Sequence, residues 1–348
     1  MEVRGLVKHF PIRGGLLQRQ VAAVQAVDDV SFTVRRGETL GIVGESGCGK
    51  STTARLLIRL IEPDAGEVLI DNKQVGSKTG LSLKALRRDM QMVFQDSYSS
   101  LNPRLPILDT ITYGPIVHGM PKSRAREKAL DLLRKVGLDP DTYALRYPHE
   151  MSGGQRQRVN VARALALDPR IVILDEAVSA LDKSVQAQVL NLLMELRREL
   201  SLTYLFISHD LEVVQFISDR VLVMYLGKVV ELGPVASLYQ APQHPYTKAL
   251  LSAMPEMDVD RRKQEPPLTG DPPTPINPPS GCRFHPRCQF AEPVCERVEP
   301  LLTRLAGSPD HVSACHMAIA GSGHSAAPET QNSAASRIAE PPKESARP

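Results

Sequence analysis

The chain has 348 residues, of which 42% are hydrophobic and 23% charged, the composition of a soluble globular protein of about two domains. Its 42 Lys and Arg nearly balance its 39 Asp and Glu, and a net charge of +3 argues against a general nucleic-acid or membrane-surface binder. The five cysteines exclude a disulfide-dense secreted scaffold, and no apolar run approaches the ~20 residues of a membrane span. The sequence therefore predicts a cytosolic protein that needs a partner to bring it to any membrane.

Short apolar runs alternate with helical patterns through the first two thirds of the chain. Unbroken apolar runs of strand length are typical of parallel strands that are covered on both faces. Strands are predicted at 40–43, 171–174, 204–207 and 221–225, and helices at 51–60, 125–136 and 185–200. The alternation predicts an α/β fold.

Changes in composition predict the domain organisation. A main domain is predicted over 1–253, with a helical insertion at about 97–160 that has turn signals but no strong strand. Paired prolines predict an extended linker at 254–281. Four of the five cysteines follow in a small module at 282–318, and the Ala-, Ser- and Pro-rich tail at 319–348 is predicted to be disordered.

A glycine-rich segment after the first predicted strand matches G-x-x-x-x-G-K-[ST] and opens a helical pattern, the context that this phosphate-binding motif requires. Its residues are Gly44, Glu45, Ser46, Gly47, Cys48, Gly49, Lys50 and Ser51, and Thr52 follows in the helix. Glycines let backbone N–H groups turn towards phosphate oxygens, and the helix start adds partial positive charge. We expect Lys50 to reach the β- and γ-phosphates of a nucleotide and the Ser51 hydroxyl to bind Mg²⁺. The alternative is a glycine-rich turn with an incidental lysine.

Two acids, Asp175 and Glu176, end the apolar run at 171–174. A buried strand would present them at its carboxyl edge, where ligands bind in open α/β sheets. Because neighbouring residues on a strand face opposite ways, the two acids are expected to do different work. Asp175 is suited to support Mg²⁺, and Glu176 is suited to act as the general base that activates water. The alternative is a solvated acid pair at the end of a strand.

The segment 151–155, Met-Ser-Gly-Gly-Gln, resembles the LSGGQ signature of the ATP-binding cassette (ABC) ATPases, with Met151 in place of the usual Leu. Other elements of that family follow in the expected order. They are Phe10 as the aromatic residue that stacks on adenine, Gln95 of the Q-loop, 179–182 of the D-loop and His209 as the switch histidine. The resemblance covers about 1–253.

The resemblance implies a P-loop NTPase of ABC type, with a RecA-like parallel-sheet core, an N-terminal antiparallel β part and a helical insertion. It implies ATP and Mg²⁺ as ligands, with Ser51, Gln95 and Asp175 at the metal and Lys50, Glu176 and His209 in catalysis. It further implies a head-to-tail dimer, in which the signature of one subunit covers the ATP held by the other. The signature residues that would bind ATP in this way are Ser152, Gly153, Gly154 and Gln155.

A closer resemblance, to the ATPases of oligopeptide and dipeptide importers, is carried by the segments 97–104, 175–182, 244–247 and 282–288. It implies a subunit on the cytoplasmic face of the inner membrane, docked on separate permease subunits and served by an extracytoplasmic peptide-binding protein. The second ATPase of the dimer would be another copy or a paralogue. The alternatives are another cargo such as nickel, or a soluble ABC protein that acts on nucleic acid or ribosomes. A cassette that binds ATP without hydrolysing it is disfavoured by the presence of Glu176 and His209.

The C-terminal cysteines, Cys282, Cys288, Cys295 and Cys315, lack the close C-x₂₋₄-C pairs that are typical of structural zinc. Four thiolates are also the ligand set of an iron–sulfur cluster, and the resemblance supports a 4Fe–4S cluster here. Three alternatives stay open, namely a cluster, plain reduced thiols and zinc. Candidate additional ligands are His285, His311 and His316. Cys48 occupies a variable position of the phosphate-binding motif.

Overall fold

The computed structural model describes residues 1–15, 19–77, 79–254, 271, 273–305 and 308–328. Within these ranges the strands are β1 (Glu2–Gly14), β2 (Arg19–Thr33), β3 (Thr39–Val43), β4 (Ala65–Ile70), β5 (Lys73–Gln74), β6 (Met90–Val93), β7 (Ile171–Asp175), β8 (Thr203–Ile207), β9 (Arg220–Tyr225), β10 (Lys228–Pro234), β11 (Thr303–Leu305) and β12 (Ser308–Ser313). The helices are α1 (Lys50–Leu57), α2 (Leu83–Asp89), α3 (Ile107–Val117), α4 (Lys122–Lys135), α5 (Pro140–Tyr143), α6 (Gly153–Leu165), α7 (Lys183–Leu200), α8 (Leu211–Ile217), α9 (Val235–Gln240), α10 (Pro245–Ser252) and α11 (Pro293–Arg297).

The strands form two sheets. The smaller sheet has the order β2-β1-β4-β5 and is antiparallel. The larger sheet has the order β11-β12-β10-β9-β3-β8-β7-β6, and its strands from β9 to β6 are parallel. The predicted α/β fold, with a parallel core and an N-terminal antiparallel part, is confirmed.

The central strands are buried along their whole length, because the sheet is covered on both faces. Alternate residues enter two separate cores, as the two-residue period of a strand requires. In β8, Tyr204 and Phe206 pack into the core on one face, and Leu205 and Ile207 pack into the core on the other. This two-sided burial explains why the predicted strands are unbroken apolar runs.

The insertion at 97–160 is helical, and it includes α3, α4, α5 and the start of α6. Helix α4 turns Ala125, Ala129, Leu132 and Leu133 towards the core, and its remaining face is polar. The insertion packs onto the same core as β7 and α7, so the acid-bearing strand and the signature segment are joined through one apolar cluster.

The C-terminal module extends the larger sheet. Strand β12 pairs with β10, which brings Ser313 opposite Glu231, and β11 pairs with β12 at the sheet edge. The cysteine region is therefore continuous with the cassette core in its packing. Most of the predicted linker, 255–270 and 272, and most of the predicted disordered tail, 329–348, lie outside the described residues.

Candidate functional site

The glycine-rich segment forms a loop between β3 and α1. Gly44 and Gly49 have φ of 147° and 107°, in the region that side chains other than glycine rarely adopt. A Cβ atom on Gly44 would lie 2.2 Å from the carbonyl oxygen of Met224, and one on Gly49 would lie 2.2 Å from that of Ala26. Gly49 also caps α1 without a side chain, which leaves the first helical N–H groups facing the loop. The motif thus has the tightly curled, glycine-dependent backbone that the predicted phosphate-binding loop requires.

Lys50 lies inside this loop. Its side chain is buried, and Nζ donates hydrogen bonds to the carbonyl oxygens of Gly44 (2.8 Å) and Glu45 (3.0 Å). Cys48 is buried as well, and burial raises the pKa of its thiol above the ordinary value. The loop therefore holds its one cationic group against its own backbone, at the centre of the predicted phosphate site.

Asp175, at the end of β7, lies against the loop. Its Oδ1 accepts a hydrogen bond from the Ser51 hydroxyl at 2.9 Å. Burial raises the pKa of Asp175 above its usual range, and the hydrogen bond from Ser51 opposes that rise. A carboxylate and a hydroxyl oxygen at this separation are the donor types that Mg²⁺ prefers, so the residues present fit the predicted metal.

Glu176 stands where three neighbouring strands end. Its Oε2 accepts a hydrogen bond from Nε2 of Gln95 at 2.7 Å and lies 3.5 Å from Nδ1 of His209. Gln95 follows β6, Glu176 follows β7 and His209 follows β8, and these strands are adjacent in the sheet. Parallel strands bring their carboxyl ends to one edge, which explains how residues so far apart in sequence meet.

The backbone of Glu176 is unusual, with φ of 49° in a residue that carries a Cβ. Its N–H donates to the carbonyl oxygen of Ile207 at 2.9 Å, which holds it at the end of β8. The Glu176 side chain is 16% exposed and the His209 side chain is 61% exposed. A partly buried acid beside an open imidazole is an arrangement that can accept a proton from a water molecule.

The signature segment lies at the N-terminus of α6, on the helical insertion. Ser152 caps the helix through a capping box, in which its Oγ accepts from the N–H of Gln155 at 3.3 Å and its own N–H donates to Oε1 of Gln155 at 3.0 Å. Gly154 packs so tightly that a Cβ would lie 2.4 Å from Val185 of α7. Among the described residues, no hydrogen bond or ion pair joins 152–155 to 44–51.

Phe10 lies on β1 and is 36% exposed as a residue, and the ammonium of Lys8 lies 5.6 Å from the centroid of its ring. Its stacking on adenine stays a prediction. The D-loop residue Asp182 caps α7 by accepting a hydrogen bond from the N–H of Val185 at 2.9 Å, and Ser179 donates its hydroxyl to the carbonyl oxygen of Glu176 at 3.0 Å. The D-loop is therefore joined directly to the predicted general base.

Cys282, Cys288, Cys295 and Cys315 line one small cavity. Burial raises the pKa of Cys282 to about 12 and that of Cys315 to about 11, so both thiols are neutral in the absence of a ligand. In the part of the chain that the structure describes, no three His, Cys, Asp or Glu residues are placed to hold a single metal ion. This finding gives no support to zinc or to the cluster.

The three histidines that the sequence offers as additional metal ligands each have a ring nitrogen within hydrogen-bond distance of another group of this chain. Nε2 of His311 lies 2.7 Å from Oε1 of Glu231, Nδ1 of His285 lies 2.9 Å from the Cys282 carbonyl oxygen, and Nε2 of His316 lies 2.8 Å from that of Val298. His311 in particular is paired with a buried carboxylate on β10 and does not face the cysteine cavity.

The sequence motifs do not include two residues that hold the phosphate loop from the C-terminal side. Tyr246 accepts a hydrogen bond from the N–H of Glu45, and Arg287 forms an ion pair with the Glu45 carboxylate. Both fall in segments that the sequence marks only by their resemblance to peptide-importer ATPases. A local pattern has no means of indicating a partner that lies 242 residues away.

The phosphate loop, the acid pair and the strand-end Gln and His define an ABC-type P-loop ATPase. Residues 27–179 match the ABC transporter family, and residues 230–295 match the oligopeptide/dipeptide transporter C-terminal region. The chain is 54% identical over 320 residues to a probable peptide ABC transporter ATP-binding protein, y4tS of Sinorhizobium fredii, covering 91% of this chain and 89% of that protein. It is 52% identical over 324 residues to the oligopeptide transport ATP-binding protein AppF of Bacillus subtilis, covering 91% and 97%.

A similar solved structure is the dimeric ATP-binding cassette MJ0796 in a post-hydrolysis state bound to ADP and Pi. It has a TM-score of 0.58 and 29% identity, and the match covers 67% of this chain and 98% of that chain. This chain belongs to the ABC transporter ATP-binding proteins and is an ABC ATPase. Within the described ranges, no helix is both long and apolar enough to cross a membrane.

Proposed function

We propose that this ATPase energises the import of peptides. In this proposal it docks on separate permease subunits at the cytoplasmic face of the inner membrane, and an extracytoplasmic binding protein delivers the peptide. The two relatives that match about nine tenths of the chain, y4tS and AppF, are named for peptide and oligopeptide transport. The chain also matches the oligopeptide/dipeptide transporter C-terminal region beyond the cassette, which supports the peptide branch over another cargo such as nickel and over a nucleic-acid role.

The chain's own residues divide the hydrolytic work. Lys50 and the N–H groups of the loop hold the ATP phosphates, and Ser51 and Asp175, with Gln95, would hold Mg²⁺. Bound Mg²⁺ supplies positive charge that neutralises the phosphate oxygens. Glu176 orients the attacking water and accepts its proton, and His209 hydrogen-bonds the γ-phosphate or that water.

The proposal of a dimer rests on one observation: the phosphate loop 44–51 and the signature 152–155 are not bonded to each other within the described part of one chain. Ser152 is exposed at the N-terminus of α6, a place where backbone N–H groups favour an anion, yet it is not bonded to the loop of its own chain. A second ABC ATPase, either another copy or a paralogue, places its phosphate loop opposite this signature. Each ATP is then held between two subunits in a head-to-tail dimer.

The test is reconstitution of the chain with its permease subunits in liposomes. Binding protein loaded with a peptide is expected to stimulate ATP hydrolysis several-fold and to release the peptide inside the liposomes. Nickel ions with a nickel-loaded binding protein form the comparison arm. Stimulation by nickel and not by any peptide would contradict the proposed cargo while leaving the ATPase assignment intact.

We also propose that the four C-terminal cysteines hold a 4Fe–4S cluster. The support is that all four line one cavity and that four thiols are the donor set of such clusters, although as described they are too far apart to hold a metal ion together and would have to move closer to bind the cluster. Anaerobic purification is expected to give a brown protein that absorbs at about 400 nm, and oxidation is expected to remove this absorbance, as for thiolate-bound iron–sulfur clusters. A colourless anaerobic preparation that contains no iron would exclude the cluster and leave plain thiols.

A further inference from the structure

Glu45, the second residue of the phosphate loop, is held from three directions. Its N–H donates to the Tyr246 hydroxyl at 2.8 Å, and its carbonyl oxygen accepts from Nζ of Lys50 at 3.0 Å. Its carboxylate meets the guanidinium of Arg287, whose Nη1 lies 2.9 Å from Oε2 and whose Nη2 lies 3.1 Å from Oε1. Two of these three partners come from the segments that follow β10.

The ion pair is sheltered from solvent. The Arg287 side chain is 6% exposed and that of Glu45 is 22% exposed. Arg287 follows Phe284, whose ring packs on those of Tyr225 and Tyr246 at centroid distances of 5.3 and 5.4 Å. This aromatic cluster fixes the base of the short 3-10 helix 285–287 that carries the guanidinium. Two-pronged Arg–carboxylate hydrogen bonds are stronger than neutral ones, and removal of one partner from a sheltered pair leaves the other charge uncompensated.

The sign of the Glu45 charge makes this pair important for nucleotide binding. A phosphate loop attracts an anion through its N–H groups and its lysine, and a carboxylate in the same loop repels that anion. Because Arg287 bonds both oxygens of the carboxylate, it neutralises this repulsion. It also fixes the residue whose carbonyl oxygen orients Lys50.

We propose that Arg287 is a positioning residue of the ATP site. The C-terminal segment that carries Arg287 thereby holds the phosphate loop in place. Arg287 acts through Glu45 and does not itself touch ATP. The inference rests on the proposed assignment of residues 44–51 as the phosphate site. It predicts that loss of Arg287 weakens ATP binding because the Glu45 charge is left uncompensated.

The experiment measures the Kd for ATP with Mg²⁺, and KM and kcat for hydrolysis, on the full chain. Arg287→Ala is expected to raise Kd and KM about tenfold, the effect of one uncompensated charge in a partly buried site, and to change kcat much less. Glu45→Gln removes the charge that repels the phosphates and leaves Arg287 positive, so this variant is expected to bind ATP more tightly than the parent chain. In the double variant, Glu45→Gln is expected to restore most of the affinity that Arg287→Ala loses.

The matched control is Arg283→Ala. Arg283 is a buried arginine of the same segment, but it bonds to Asp28, Gln25 and the carbonyl oxygen of Leu226, and among the described residues no hydrogen bond or ion pair joins it to 44–51. Its ATP affinity is expected to stay within twofold of the parent. If Arg283→Ala loses as much ATP affinity as Arg287→Ala, or if Glu45→Gln does not restore the affinity of Arg287→Ala, the effect comes only from packing of the C-terminal segment against the cassette. Either result would overturn the proposal.

Arg287→Lys provides a second variant in case the alanine variant does not fold. It keeps the charge and loses the two-pronged contact, so a rise in Kd smaller than tenfold is expected. Unchanged ATP affinity in every folded Arg287 variant would overturn the proposal. Absence of ATP binding by the parent chain would instead contradict the assignment of residues 44–51, which separates the two failures.

Discussion

Replacing Glu176 by Gln isolates the proton-accepting role of this side chain. The amide has nearly the same volume, so its Oε1 keeps the hydrogen bond from Gln95, which measures 2.7 Å in the parent. The left-handed backbone at this position, with φ of 49°, is equally strained with either residue. The folded structure is therefore expected to change little while the general base is removed.

The expected loss follows from the worth of a general base. Such groups contribute ~10²–10⁴-fold to a rate, which is ~2.7–5.4 kcal/mol of activation free energy. Glu176→Gln is expected to slow single-turnover hydrolysis by this factor while Kd for ATP stays within a few-fold of the parent. In the proposed dimer each ATP bridges two subunits, so a variant that binds ATP without hydrolysing it is expected to remain a dimer in size-exclusion chromatography.

The control is Glu212→Gln, which changes an exposed glutamate in the first turn of α8, outside the site. It is expected to hydrolyse ATP at the parent rate. Glu176→Asp keeps the charge but draws it back by one methylene, and it is expected to be impaired as well. Parent-like turnover in Glu176→Gln would refute the role assigned to this residue.

Two further changes test the signature and a buried histidine. Ser152→Ala is expected to lower the unfolding free energy by about 1 kcal/mol through the lost cap and to abolish most ATPase activity. The control Ser82→Ala removes a similar cap from α2, so it is expected to lose as much stability and to keep its ATPase activity. Loss of ATPase activity in both variants, with stability measured by urea unfolding, would refute a special role for the signature. His244 is buried, and burial lowers its pKa from 6.5 to about 4. Between these values the unfolded chain binds a proton that the folded chain does not, so stability is expected to fall by up to ~3 kcal/mol as the pH drops from 6.5 towards 4. His244→Asn keeps an acceptor for the N–H of Tyr246 without the titration, and urea unfolding across this pH range should show a flatter profile; a slope equal to that of the parent would contradict the assignment.

The central strands could be predicted from the sequence because both of their faces are buried. Strand β6 could not be predicted in this way, since its four residues include Gln91 and form no unbroken apolar run. The β1–β2 hairpin was implied only by resemblance, because most of its residues are partly exposed and several register shifts interrupt its pairing. A regular period is the signal that local analysis needs, and these strands lack one.

The parts of the candidate site that are contiguous in sequence could be predicted, and the parts that bring together residues distant in sequence could not. Gly44 to Ser51 are contiguous, and their spacing carries the chemistry. The meeting of Gln95, Glu176 and His209 follows from strand order, which was available only through the family resemblance. The contact between Arg287 and Glu45 depends on the path of the chain beyond β10, and no residue pattern encodes it.

The account depends most on ATP being held between two subunits, and a mixture of two inactive variants tests this directly. Lys50→Ala disables the phosphate loop and Ser152→Ala disables the signature, each in a separate copy; where the transporter pairs this chain with a paralogue, one change is made at the matching residue of the paralogue. A mixed dimer then retains one intact pair of loop and signature, and mixed copies of this chain are expected to recover about a quarter of the parent ATPase activity, because half of the dimers are mixed and each has one working site. A mixture as inactive as either variant alone, with mixed dimers shown to form, would mean that each chain completes its own site and would contradict the account.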